Sequence, residues 1–205
     1  ALARATVFNP PVILMDEPLG ALDKKLREQM QIEIKQLQRQ LGATVIYVTH
    51  DQQEALTMSD RVAVMNHGVI EQLSSPRALS DEPQSIFVAD FVGDTNLLRG
   101  TVTEVAEGMV AIVLPDGERV SGRPAGNSPG GLALGRQAVL SVRPEKVRMA
   151  GDGEGGLHIR GGEFIYAGSE TTVIGETPDG TPFKFRANEA VGVPDSTPAL
   201  LSVIP

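Results

Sequence analysis

The chain has 205 residues, of which 41% are hydrophobic and 21% are charged, a composition typical of folded globular proteins. Its net charge of −8 is spread along the chain: residues 1–95 hold 8 basic and 13 acidic side chains, and residues 96–205 hold 10 and 13. Neither half therefore has the basic stripe that nucleic-acid binding requires, and no apolar run approaches the roughly 18 residues of a membrane span. The absence of cysteine excludes disulfide bonds and thiolate metal sites.

The first predicted elements are a helix end and a strand. Residues 1–8 are typical of a helix, and the Asn-Pro-Pro sequence at residues 9–11 stops it, because a residue before proline is pushed out of the helical region. We expect a chain that opens inside a helix to be part of a longer protein. Residues 12–15 are bulky and uncharged, which predicts a strand buried on both faces of a parallel sheet. The strand ends in Asp16 and Glu17, at the edge where such sheets bind ligands.

A long amphipathic helix and a second strand follow. Asp23 suits the positive N-terminal end of the helix, and Gly42 suits the left-handed residue that closes it. Apolar residues recur between them at the helical spacings of three and four. They are Leu22, Leu26, Met30, Ile34, Leu37 and Leu41. The β-branched run at residues 43–48 then ends in Thr-His-Asp, so a βαβ unit brings His50 to the same sheet edge as the two carboxylates.

The remainder of the first half predicts short helices and a hairpin. Helices are expected at residues 52–58, after Ser75-Pro76, and at residues 84–91, with the last one ending at Gly93. Two apolar runs flank Asn-His-Gly at residues 66–68, which is a hairpin signal.

The second half has the sequence pattern of an all-β domain. Eighteen of the 22 glycines and nine of the 14 prolines lie in residues 96–205, where no segment keeps a helical period. Short apolar runs separated by turns predict a small β-sandwich or barrel. The runs are residues 109–114, 138–142, 157–159, 164–166, 171–174 and 183–187. Two glycine-rich stretches, 122–135 and 150–156, are predicted to be loops.

Asp16, Glu17 and His50 are the candidate chemical residues. An aspartate supplies the hard oxygen that Mg²⁺ prefers, often through a retained water. A neighbouring glutamate can orient and deprotonate a water that attacks a γ-phosphate, and His50 could hydrogen-bond that phosphate. In the alternative interpretation, His50 caps the following helix and both carboxylates cap the turn at Pro18. The local pattern around His50, taken alone, favours the capping role.

As a set, these residues resemble a known family. The run Asp-Glu-Pro-Leu-Gly-Ala-Leu-Asp at residues 16–23, followed by Val-Thr-His-Asp-Gln at residues 48–52, closely resembles the nucleotide-binding subunit of ATP-binding-cassette (ABC) transporters. The resemblance implies that Asp16 is the Walker B aspartate, which holds Mg²⁺ through water. It also implies that Glu17 is the catalytic glutamate and that His50 is the switch histidine.

The same resemblance covers the segment after Glu17. Residues 19–23 match the D-loop, which touches the partner subunit across the bound nucleotide, so Asp23 is implied at the cofactor and dimer interface. The family often has serine at the position of Gly20, which leaves any hydroxyl contact there in question.

Further segments resemble the importer branch of the family. Residues 60–65, 70–72 and 91–98 carry this likeness, and the last of them is similar to the spermidine/putrescine type. The β-rich second half resembles the TOBE (transport-associated OB) domain, most recognisably at residues 142–147. The implied fold is an α/β part of a P-loop NTPase core with a parallel sheet, at residues 1–95. An all-β OB-like TOBE barrel then follows at residues 96–205.

The implied function is that of an ATPase subunit of an ABC import system, with ATP and Mg²⁺ as cofactors. Its implied partners are a second copy of the subunit and transmembrane permease subunits, and its implied place is peripheral, on the cytoplasmic face of the inner membrane. Neither nucleic-acid binding nor direct membrane insertion is expected. The phosphate-binding motif G-x-x-x-x-G-K-[ST] is absent from the sequence, as are the family's Q-loop and signature loop, so this chain alone is expected to be inactive.

Several alternatives stay open. The solute could be iron, sulfate, a sugar or a phosphonate, because the ATPase does not touch it. The chain could instead be a non-catalytic regulatory or small-ligand-binding module built on the β-barrel. An oligonucleotide-binding barrel is disfavoured by the acidic charge and by the aromatic content of only 4%.

Overall fold

The computed structural model describes residues 6–125, 131–149, 156–168, 170–187 and 199–203. The chain divides into two compact units, Ala1–Asp81 and Glu82–Pro205. This division is geometric, and the functional boundary that we predict between residues 95 and 96 stays a prediction. Residues 1–5 of the predicted helix end at 1–8, and parts of the predicted loops 122–135 and 150–156, lie outside the described residues.

The N-terminal unit is built on a βαβ crossover. Strands β1 and β2 pair in parallel, with Asp16 opposite Val48, as the sequence predicts. Helix α1 begins after Asp23, whose Oδ1 accepts a hydrogen bond of 3.0 Å from the backbone N of Leu26. The helix ends at Gly42, whose φ of 61° is the left-handed conformation expected there. The elements of this unit are β1 (Val12–Asp16), α1 (Lys24–Leu41), β2 (Thr44–Val48), α2 (Gln52–Met58), β3 (Val62–Asn66), β4 (Val69–Ser74) and α3 (Pro76–Asp81).

Strand β1 is buried on one face only, so the prediction of burial on both faces is wrong for this chain. Ile13 and Met15 are buried in a core that includes Ile34 of α1. Val12 and Leu14 are 48% and 73% exposed, because the crossover helix covers a single face of the two strands. The face opposite α1 is therefore an apolar surface of this chain.

The later elements of the N-terminal unit follow their local signals. His67 and Gly68 have φ angles of 46° and 80°, the two positive values that a tight hairpin turn between β3 and β4 requires.

The predicted helix at 84–91, which belongs to the second unit, begins two residues late, at Ile86. The reason is that Ser85 caps it by accepting a hydrogen bond from the backbone N of Val88.

The C-terminal unit contains two antiparallel sheets. The strand orders are β7-β6-β5-β8 and β12-β11-β10-β13-β9. The elements are α4 (Ile86–Phe91), β5 (Asn96–Ala106), β6 (Met109–Val113), β7 (Arg119–Gly122), β8 (Gln137–Val142), a 3-10 helix (Pro144–Lys146), β9 (Val147–Met149), β10 (Leu157–Tyr166), β11 (Thr171–Glu176), β12 (Pro182–Ala187) and β13 (Ala199–Val203). The predicted fold class, an α/β part followed by an all-β OB-like part, is confirmed.

Both sheets contribute to one core in this unit. Val102 of β5 and Phe183 of β12 are almost completely buried in the same cluster. Buried Asn96 joins the sheets: its Oδ1 accepts from the backbone N of Lys184 at 2.7 Å, and its Nδ2 donates to the carbonyl O of Lys184 at 2.8 Å. Asn96 thereby satisfies backbone groups of β12 that would otherwise lack a partner in the interior.

Two glycine-containing strands differ from the sequence prediction. Residues 157–159 and 164–166, predicted as separate runs, form the single strand β10, with a register shift between Arg160 and Glu163. Gly161, with φ of 65°, accommodates this bulge. Strand β5 was not predicted because Gly100 interrupts its pattern. A Cβ there would lie 2.6 Å from the carbonyl O of Val113, so only glycine fits.

Within the described ranges, no helix combines the length and the apolar character that crossing a membrane requires.

Candidate functional site

The candidate site lies where β1 and β2 end. The backbone N of Glu17 donates a hydrogen bond of 2.9 Å to the carbonyl O of Val48, which continues the parallel ladder one residue beyond β1. Glu17 itself has a φ of 43°, in the left-handed region that non-glycine residues rarely adopt. The chain therefore turns sharply at Glu17, directly after Asp16.

The structure brings Glu17 and His50 into contact. Oε1 of Glu17 lies 2.8 Å from Nδ1 of His50, although 33 positions separate the two residues in the sequence. Both side chains are exposed, His50 at 77% and Glu17 at 51%, so a ligand can reach them from solvent. The predicted meeting of the two polar clusters at one sheet edge is confirmed.

The contact changes the acid–base behaviour of His50. The hydrogen bond to Glu17, followed by the charge of Glu17, raises the pKa of His50 above its usual value of 6.5. Asp51 and Glu54 add smaller contributions in the same direction, and desolvation opposes them. Because the pKa is raised, protonated His50 stabilises the fold through this contact at pH values near and below 6.5, as long as Glu17 is ionised, and this stabilisation is lost as the pH rises through the raised value.

We expect Glu17→Gln to return the pKa of His50 towards its ordinary value, because the substitution removes the charge and weakens the hydrogen bond that raise it. An NMR titration of the His50 ring would measure this. Asp16→Asn is the matched control, since it removes the adjacent carboxylate, which is not among the groups that shift His50. An equal downward shift in both variants would contradict the assigned contact.

Asp16 is an exposed carboxylate at the last position of β1. In the part of the chain that the structure describes, no three His, Asp or Glu side chains are grouped closely enough to hold a metal ion. The exposed carboxylate of Asp16 fits Mg²⁺ as one protein ligand beside water and phosphate oxygens, an arrangement that Mg²⁺ commonly adopts.

Asp23 has a structural contact in this chain, since its Oδ1 caps helix α1. Its role at a nucleotide or dimer interface stays a prediction. A Cβ built on Gly20 would lie 3.8 Å from Oε2 of Glu17, an ordinary van der Waals distance. The backbone therefore leaves room for the serine that the resembled family often carries.

Sequence reasoning missed a buried polar network behind His50. The side chain of Glu54 is 3% exposed, and its Oε2 accepts hydrogen bonds from the hydroxyls of Tyr47, at 2.8 Å, and Thr49, at 3.0 Å. Burial, followed by the hydrogen bond to Glu54, raises the pKa of Tyr47. The only sequence signal was the Asp-x-x-Glu spacing of residues 51 and 54, which indicates a capping box rather than a buried carboxylate.

Arg27 of α1 completes this network. Its Nη1 donates to Oδ2 of Asp51 at 3.1 Å, and its Nη2 donates to the carbonyl O of Leu22 at 3.1 Å. Its Nε lies 3.7 Å from Oε1 of Glu54. The network borders the cleft at the end of the strands, whose lining residues are Glu17, Gly20, Arg27, Thr49, His50, Asp51 and Glu54.

The cleft thus combines an exposed carboxylate, Glu17, with an exposed imidazole, His50, next to the buried and hydrogen-bonded carboxylate of Glu54. A carboxylate in this setting can accept a proton from water, and a protonated imidazole can donate a hydrogen bond to an anionic oxygen.

Comparisons with known proteins identify similar sequences for most of the chain. The TOBE domain family matches residues 140–198. The spermidine/putrescine import ATP-binding protein PotA of Rubrobacter xylanophilus is 50% identical over 184 residues, which cover 88% of this chain and 47% of the relative. The protein of the same name from Frankia alni is 50% identical over 191 residues, covering 88% of this chain and 41% of the relative. The chain therefore spans about half the length of the curated relatives it matches.

One solved structure also shows partial similarity. The cytoplasmic molybdate-binding protein ModG, with molybdate bound, covers 53% of this chain and 89% of its own, with a TM-score of 0.44 and 18% identity. A similarity of this extent supports no inference about ligands.

Proposed function

Because the chain belongs to the family of ATP-binding subunits of ABC import systems, we propose that it is the part of such a subunit that supplies the water-activating side of the ATPase site. The names of the relatives support a polyamine, spermidine or putrescine, as the imported solute. The observation that carries the proposal is the 2.8 Å contact between Glu17 and His50 at the ends of β1 and β2.

In the proposed mechanism, Glu17 orients the attacking water and accepts its proton. Protonated His50 donates a hydrogen bond to an oxygen of the γ-phosphate, and its contact with Glu17 keeps both groups at one edge of the sheet. Asp16 would hold Mg²⁺, through water, and the bound ion would neutralise charge on the phosphates. Both side chains are exposed, so a phosphate can reach them from solvent.

The proposal extends to partners and location. A second copy of the subunit would meet the segment that contains Asp23, and transmembrane permease subunits would conduct the solute. The subunit would then act at the cytoplasmic face of the inner membrane as a peripheral protein. The TOBE domain would regulate or stabilise the dimer.

A calorimetric titration with ATP and Mg²⁺ tests whether this chain holds only the water-activating side of the ATPase site. We expect no saturable binding to the 205-residue chain, because its sequence lacks the glycine-rich motif and lysine that hold the β- and γ-phosphates. A complete subunit of the same family, in which that motif is present, should bind ATP and hydrolyse it. Micromolar binding by the 205-residue chain, or no hydrolysis by the complete subunit, would overturn the proposal.

A further inference from the structure

The loop that carries His50 is fixed on both sides of the histidine. On one side, the hydroxyl of Thr49 donates to Glu54 at 3.0 Å and accepts from the backbone N of Asp51 at 3.0 Å. On the other side, Oδ1 of Asp51 accepts from the backbone N of Glu54 at 3.1 Å, while its Oδ2 accepts from Arg27. The histidine between them makes its contact outward, with Glu17. Its position therefore depends on the network beneath it.

Arg27 is the residue of this network that contacts both loops of the candidate site. It stands in the first turns of α1, and its two Nη atoms join the loop of His50, through Asp51, to the segment that follows Glu17, through the carbonyl O of Leu22. That segment is itself tied to Glu17, because the backbone N of Gly20 donates to the carbonyl O of Glu17. One guanidinium thus bridges the two loops that carry the two candidate catalytic side chains.

The geometry suits an arginine better than a lysine, because two separate Nη atoms make the two contacts. The planar guanidinium presents its donors in a fixed fork, so both loops are held at a set separation. Nε is buried and hydrogen-bonds to none of the described residues, and it faces Oε1 of Glu54 at 3.7 Å. A buried carboxylate needs a compensating charge, and Arg27 supplies it.

We propose that Arg27 is a positioning residue, which sets the distance between Glu17 and His50 by clamping the segment 19–23 to the loop that carries His50. Its meaning for catalysis rests on the function proposed above, whereas the clamp itself is a property of this chain. Without the clamp, the loop of His50 loses its tie to α1, and the contact between His50 and Glu17 is no longer maintained.

The clamp can be tested in the 205-residue chain by NMR titration of the His50 ring in Arg27→Gln. A loss of charge alone would leave the pKa of His50 unchanged or higher, because Asp51 and Glu54, which raise it, would no longer be compensated. A loss of position lowers the pKa towards its ordinary value, because the contact with Glu17 is the largest cause of the shift. The sign of the change therefore distinguishes the two.

Two further variants complete the test. Lys35→Gln is the matched control: it removes another cation of α1 that bonds to α2, through the carbonyl O of Thr57 at 2.9 Å, but not to the loop of His50. It should leave the His50 titration unchanged. Arg27→Lys keeps the charge without the fork, so an intermediate pKa is expected.

The outcomes are separable. A folded Arg27→Gln variant whose His50 titrates as in the parent chain, or higher, would overturn the proposal, with circular dichroism verifying the fold. If Arg27→Gln does not fold, the pKa of His50 is measured in Arg27→Lys instead. A pKa equal to that of the parent chain would then show that Arg27 acts by charge compensation and would overturn the proposal.

Turnover in the complete subunit gives the catalytic readout. Arg27→Gln should lower kcat roughly ten- to a hundredfold, because small misplacements of catalytic groups are costly, while the KM for ATP changes little. Arg27→Lys should restore part of the rate. Loss through KM alone would contradict a positioning role. If the unmodified complete subunit does not hydrolyse ATP, the proposed function fails. The His50 titration still tests whether Arg27 holds His50 next to Glu17.

Discussion

Glu17→Gln in the complete subunit is expected to keep ATP binding and to lose turnover by about 10²–10⁴-fold, the usual contribution of a positioned general base. Glutamine matches glutamate in size, so the turn after β1 and the contact distance to His50 can be retained. It cannot accept a proton from the attacking water. Phosphate release under saturating ATP measures the rate, and calorimetry measures the binding.

The matched control is Glu28→Gln, which removes one carboxylate from an exposed position of α1 outside the cleft. Its turnover should equal that of the unmodified subunit. Hydrolysis by Glu17→Gln at near the unmodified rate would show that Glu17 is not the general base. Equal losses in both variants would indicate a general effect of charge.

Phe183→Ala is expected to destabilise the C-terminal unit by about 3–5 kcal/mol, the typical cost of removing a fully buried phenylalanine. Phe183 is 0% exposed and lies in the core that both sheets of this unit share. The surrounding strands cannot close the resulting cavity without shifting their pairing. Protection of the Val173 amide from hydrogen exchange should fall accordingly, since Val173 belongs to the same core.

Phe164→Ala serves as the comparison, because Phe164 is a phenylalanine of the same unit that is 43% exposed. Its effect on Val173 should be much smaller. Protection at Ile34, in the core of the N-terminal unit, should be unchanged by Phe183→Ala. A parallel loss at Ile34 would mean that the two units unfold together, against the separate cores described above.

The elements that sequence predicts well are those whose signals are local. The bounds of α1 follow from Asp23 and Gly42, which supply the cap and the left-handed end within the same few residues. The β3–β4 turn likewise follows from His67 and Gly68. The meeting of Glu17 with His50 is also predictable, because parallel pairing forces the two strand ends to one edge.

The elements that sequence misses depend on distant partners. In the sequence, Gly100 indicates the end of a strand, yet it lies inside β5. Glycine is needed there because the carbonyl O of Val113 occupies the place of a side chain. Gly161 reads as a turn, yet it forms a bulge within β10. The burial of Glu54 could not be predicted, since its contacts come from α1 and β2 and only the folded unit brings them together.

The left-handed backbone at Glu17 limits which amino acids natural variation or a saturation library can place there. A φ of 43° disfavours valine, isoleucine and threonine for steric reasons that are independent of catalysis. Asparagine and glycine fit this backbone but lack a carboxylate, so they isolate the chemical requirement. Depletion of β-branched residues at this position would therefore report on chain geometry, and only depletion of asparagine and glycine would report on the proton acceptor.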